Sequence, residues 1–180
     1  MIVGIDYSYT CPSLCLLSSS DIHWHIHYKK YGKSYPALPH VSATHTSCTE
    51  EIPRYIELAN WVVSIVRTHN PTKIVLEDYA FGANGRLTQL SENAGTLKVK
   101  LFENFSDIPL YIVAPTRIKK FATGKGNATK DEVWAAFVQQ YPDASPWPSL
   151  CHPKATKIGS PLGDIADSYF MAKYGELYYA

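Results

Sequence analysis

"MIVGIDYS", residues 1–8, is an apolar run that stops on a carboxylate, and the fold turns on what Asp6 stands beside. A second run of the same make, "KIVLE" at 73–77, follows the Asn70-Pro71 break and stops on Glu77. Counted from Ile2 and from Lys73, each acid is the fifth residue of its run. Near-continuous apolar runs suit strands buried on both faces of a parallel sheet. Side by side and parallel, two such strands would bring Asp6 and Glu77 out together at one sheet edge, where ligand sites of open α/β sheets form.

The neighbouring stretches fill in the sheet. "SLCLLSS" (13–19) and "IHWHIHY" (22–28) read as two more strands, and the short gaps predict an antiparallel meander with the first. His23, His25 and His27 alternate and so share one face, which reads as an exposed polar strand face and not as a ligand set. Residues 30–46 are polar and show no period. "SCTE" at 47–50 has the form of a capping box, and Ile52, Ile56, Ala59, Val63 and Val66 then repeat at helical spacing. Leu90, Ala94, Leu97 and Leu101 mark a second helical face, and "PLYIV" (109–113) a fifth strand. Thr129 and Glu132 form a second capping box that opens a helix through about Tyr141, with Trp134, Phe137 and Tyr141 on one side. A long Pro- and Ser-rich loop at about 142–161, functional or disordered, leads to a last helix beginning near Gly163. The expected architecture is one α/β domain over 1–180. Its five-stranded mixed sheet has three antiparallel strands and then two parallel ones, flanked by helices.

Composition sets bounds on function. The 180 residues are 46% hydrophobic and 18% charged, as in ordinary globular proteins. No stretch approaches the roughly 20 apolar residues of a membrane span, and no export signal is visible, so a cytoplasmic protein is expected. Cys11, Cys15, Cys48 and Cys151 lack zinc-like spacing and read as reduced thiols. Net charge is only +1, so any nucleic-acid footprint must be local. Such a block exists from Pro115 to Lys130, where Arg117, Lys119, Lys120, Lys125 and Lys130 occur with no acid among them. It is either a phosphate-facing surface or a solvated basic face.

"PLGDIADSYF" at 161–170 adds Asp164 and Asp167, three positions apart where the last helix opens. On their own they suit an N-cap and an N3 acid. Joined to two strand-end acids they suit a metal site, because crowded, half-buried carboxylates repel one another until a cation pairs with them. An all-oxygen donor set points to magnesium or manganese and away from zinc.

"IVGIDYS", "IVLEDYAF", "APTRIKKFATGKGNATKDEV" and "GDIADSYF", in this order over most of the chain, resemble the Holliday junction resolvases of the RuvC type, within the RNase H-like superfamily. "KKFATGKGNATK" is the most specific of these stretches. The resemblance implies a homodimer and magnesium-dependent nicking of four-way DNA at paired positions, leaving 5′-phosphate and 3′-hydroxyl ends. Asp6, Glu77, Asp164 and Asp167 match the family's four acids. They would hold two magnesium ions, with manganese as a substitute and Asp6 as the bridge. Tyr79 and Phe81 both fit the position of a residue that stacks on exposed bases, and Arg86 lies in the same loop. The compact, divergent form is compatible with a phage-encoded member acting in the host cytoplasm. Two other functions compete: a non-catalytic branched-DNA binder on the same fold, and an actin-like ATPase. The ATPase needs two duplicated halves, for which the chain has no room.

Overall fold

The computed structural model describes residues 1–29, 37–46, 48–78 and 87–179. Its sheet contains β1 (Ile2–Asp6), β2 (Ser13–Leu17), β3 (Ile22–Lys29), β4 (Val41–Thr46), β5 (Lys73–Glu77) and β6 (Leu110–Val113) in the spatial order β4-β3-β2-β1-β5-β6. The antiparallel meander of β1, β2 and β3 is as the sequence predicts, and so are the parallel β1–β5 and β5–β6 pairs. The sheet has six strands where five were expected. The addition is β4, which lies parallel to β3 at the edge, within the stretch without periodicity. A half-solvated edge strand has no apolar face to advertise, and "VSATHT" offers only β-branched residues as a signal.

Helices cover both faces: α1 (Glu51–His69) and α2 (Leu87–Asn104) on one, and α3 (Pro115–Thr123), α4 (Lys130–Gln140), α5 (Trp147–Cys151) and α6 (Leu162–Tyr178) on the other. The alternation of β1 serves both layers. Val3 and Ile5 enter the core beneath α1 and α2, while Ile2 faces the core beneath α6. Between them, Gly4 allows α6 to touch the strand. A Cβ at Gly4 would lie 2.2 Å from the Ser168 carbonyl oxygen and 2.4 Å from the Ala172 nitrogen. Ser168 Oγ donates to the Ile165 carbonyl at 2.9 Å, so its 3.0 Å contact with Ser13 Oγ is a bond that Ser13 donates, tying α6 to β2.

Several helix readings need correction. The buried stripe of α1 is Tyr55, Leu58, Ala59, Val62, Val63, Ile65 and Val66, whereas Ile52 and Ile56 are exposed. The helix begins one turn later than the "SCTE" reading implies. Glu50 is its N-cap without a side-chain cap, Pro53 occupies the first turn, and Ser47 lies outside the described residues. The second capping box forms as expected: Glu132 N–H donates to Thr129 Oγ1 at 3.3 Å and Thr129 N–H to Glu132 Oε2 at 2.8 Å. The histidine face of β3 is not solvent-exposed, because α1 lies over it: His27 is buried against Trp61 and His25 packs on His69.

Segment 142–161 opens with a 3₁₀ turn (Pro142–Ala144) followed by α5. Trp147 is fully buried, edge-on to Trp24 and close to Phe137 and Tyr141, which anchors the segment on the core. All four cysteines are free thiols. Among the described residues no helix is long and apolar enough to cross a membrane.

Candidate active site

The β1–β5 register aligns Ile5 with Leu76, so Asp6 and Glu77 follow at the same level where both strands end. Across this rim runs the N-terminal turn of α6, held down on Gly4, with Asp164 and Asp167 one turn apart. All four acids line one pocket of about 290 Å³, together with Tyr7, Ser8, Asp78, Lys119 and Lys130. The structure thus brings together acids that are up to 161 positions apart in sequence.

The basic block divides on folding. Lys119 on α3 and Lys130 on α4 turn into the acid pocket, and Lys130 Nζ donates to Asp164 Oδ1 at 3.1 Å. Gly163 leaves space for that side chain, since a Cβ there would lie 3.0 Å from Lys130 Cδ. Lys125 pairs with Glu132 at 3.1 Å, and Arg117 and Lys120 stand exposed on α3. Tyr79, Phe81 and Arg86 lie outside the described residues.

Sequence reasoning missed two supports of this rim. Arg54, fully buried on α1, donates from Nε (3.2 Å) and Nη2 (2.9 Å) to the Tyr9 carbonyl and lies over the Tyr9 ring. It thereby fixes the loop between β1 and β2 that carries Tyr7 and Ser8. Cys11 in the same loop is buried close to Asp164 and Asp6; burial and these carboxylates push its thiol up, so it stays protonated. Neither residue belongs to a spacing pattern, and a lone arginine in a helix stripe reads as solvated.

The electrostatics describe a site short of positive charge. Burial, then Glu77, Asp164 and Asp167, raise Asp6 well above the ordinary carboxylate range. Burial and Asp167 push Glu77 up to about 8, and burial with Asp164 pushes Asp167 up to about 6 despite Lys130. Burial would lower Lys130, but Asp164 and Asp6 outweigh it and raise the ammonium. Asp164 Oδ2 is buried with no hydrogen-bond partner. Among the described residues no three His, Cys, Asp or Glu side chains are drawn in around one point. An all-oxygen donor set of raised carboxyls, one with an orphaned oxygen, nevertheless fits a hard divalent cation, whose binding would displace the protons.

These shifts give the folded protein a pH dependence. Glu77 keeps its proton up to about 8 in the fold, whereas the unfolded chain releases it near 4.5. Above pH 6.5 the folded state therefore binds more protons, and stability falls as pH rises to about 8. Below 6.5 the sign is opposed by His25 and His27, lowered by burial to about 4, which must charge on unfolding. Melting in EDTA should accordingly show Tm declining from pH 6.5 to 8.5, with Glu77→Gln flattening the decline. A Tm that rises over this range would contradict the assignment of Glu77.

No family model matches the chain. Among curated proteins it is 30% identical over 138 residues to the crossover junction endodeoxyribonuclease RuvC of Chlamydia trachomatis serovar L2, covering 74% of this chain and 72% of that protein. It is 26% identical over 133 residues to the RuvC of Sulfurovum sp., covering 73% and 75%. Among solved structures, Thermus thermophilus RuvC aligns over 97% of this chain and 94% of its own, with a TM-score of 0.57 and 17% identity. The same protein in complex with a Holliday junction substrate aligns over 99% and 93%, with a TM-score of 0.59 and 18% identity. These two likenesses establish the RNase H-like arrangement of sheet and helices.

Proposed function

The chain belongs to the RuvC family of crossover junction endodeoxyribonucleases, and we infer from that membership and from its acid pocket that it is a Holliday junction resolvase, a metal-dependent nuclease of four-way DNA. The observation that carries this reading is the gathering of Asp6, Glu77, Asp164 and Asp167 with Lys119 and Lys130 at the rim where β1 and β5 end.

We propose that Asp6, Glu77, Asp164 and Asp167 would hold two divalent ions, magnesium with manganese as a substitute, with Asp6 at the centre of the acid group. Bound there, the ions supply water activation on one side of a phosphodiester and stabilisation of the leaving oxygen on the other. The chain's own part is to fix the acids and admit one phosphate. Two short strands and one helix turn hold the carboxylates on rigid backbone. Lys119 and Lys130 offset the acids' repulsion toward an incoming phosphate and mark its entry side. Arg117, Lys120 and Lys125 extend the positive surface along α3 and the turn after it, and Tyr79, Phe81 and Arg86 complete the proposed set of DNA contacts. In-line attack would leave a 5′-phosphate and a 3′-hydroxyl. A four-way junction needs two symmetric nicks, so a homodimer with two such pockets is the working unit, acting in the cytoplasm.

The test is incubation of the protein with labelled four-way, Y-shaped and linear DNA, with and without magnesium. Paired nicks confined to the junction in the magnesium lanes are the expected result. Junction binding without nicks would favour the alternative, a non-catalytic branched-DNA binder.

A further inference from the structure

The segment between α5 and α6 has no part in the site described so far, yet it lines a second cavity with Asp131 and Leu162, the chain neighbours of Lys130 and Gly163. From 144 to 163 the chain contains no acid, while Lys154 and Lys157 are exposed. The block from 108 to 130 is acid-free in the same way, and the two segments flank the N-terminal turns of α4 and α6. Irregular as it is, 152–160 is tied down. Asp131 Oδ1 accepts from Ile158 N–H at 2.7 Å, and His152 Nε2 donates to the Ser160 carbonyl at 2.8 Å. Ala155 N–H donates to the His152 carbonyl at 2.9 Å, and Gly163 N–H to the Gly159 carbonyl at 3.0 Å.

The anchor places the lysines. Asp131 is the neighbour of Lys130, which pairs with Asp164, and Lys157 precedes the Ile158 that Asp131 holds. Among the described residues neither Lys154 nor Lys157 forms an ion pair, unlike Lys125 with Glu132. Free ammonium groups on a pre-ordered segment beside a phosphate-cutting pocket suit a polyanion, because holding the backbone in advance lowers the ordering cost of contact.

We propose that residues 152–160 are a second DNA-contacting arm, in which Lys154 and Lys157 lie on backbone phosphates of one duplex arm of the junction. The assignment rests on the reading of the chain as a binder of four-way DNA. Each phosphate contact contributes about 0.9 to the slope of log affinity against log salt.

Lys154→Ala/Lys157→Ala should therefore flatten that slope by about 1.8 on a labelled four-way junction in EDTA and weaken binding roughly tenfold at 50 mM salt. Tm and the single-turnover nicking rate at saturating protein should match wild type. Asp131→Ala, which keeps both lysines but frees Ile158, should weaken binding while leaving the slope in place. A double variant with wild-type slope and affinity overturns the arm, and an Asp131→Ala variant with wild-type affinity overturns its pinned placement. Wild-type protein that fails to bind the junction removes the functional reading and the arm together; wild type that binds and cuts while the double variant is unaltered removes only the arm.

Discussion

Asp6→Asn will lower the rate of nicking roughly a thousandfold while leaving affinity for the four-way junction intact, as expected when a charge aimed at the reacting centre is removed from a site that otherwise keeps its form. The substitution changes one oxygen to a nitrogen in a buried side chain at the pocket wall, so packing of β1 is kept. What it removes is the carboxylate closest in register to Glu77 and electrostatically coupled to all three other acids. Binding should survive, since the phosphate contacts proposed above fall on lysines and not on Asp6, and losing a negative charge lessens repulsion of DNA. The measurement pairs a single-turnover nicking assay with an affinity titration. A variant that cuts within tenfold of wild type would remove Asp6 from the reaction; one that cuts and binds equally poorly would place it in DNA binding.

Gly4→Ala is the second large effect, and it acts through backbone. The added methyl would meet the Ser168 oxygen and the Ala172 nitrogen well inside contact distance, and neither can rotate away. Relief requires α6 to lift from the sheet, at a cost of about 3 kcal/mol, the upper end for overpacked cores. Because Asp164 and Asp167 ride on the first turns of the same helix, the lift also moves half of the carboxylates relative to Asp6. A misplacement on the order of 1 Å costs about a hundredfold in rate. Denaturant midpoints and nicking rates should fall together. Gly95→Ala is the control: a Cβ there meets nothing within 4 Å, and the helical position should gain stability from alanine. Equal stability of Gly4→Ala and wild type would contradict the contact between α6 and β1.

How much of this was legible in the sequence follows from the strength of each local signal. β1 and β5 announce themselves because buried parallel strands are written as unbroken apolar runs, and an acid that ends such a run stands out. The Thr129–Glu132 box was readable since its two bonds are local. β4 was not, because an edge strand satisfies half its backbone with water and its side chains can be anything polar. The α1 stripe came out rotated: the burial of Arg54 in place of Ile52 or Ile56 depends on the Tyr9 carbonyl, 45 positions away. Basic residues were visible as a block, but only the packing of α3 and α4 separates Lys119 and Lys130, which turn inward, from Lys120, which does not. The same holds for Cys11, whose contact with Asp164 spans nearly the whole chain.

The seating of α6 on Gly4 joins the earliest strand to the last helix. During synthesis Asp6 is joined long before its partners, since Asp164 and Asp167 follow it by 158 and 161 residues. An interrupted translation product therefore lacks half of the acids as well as the helix that covers the centre of the sheet. A copy that stops short of Asp164 is thereby kept from stray cutting.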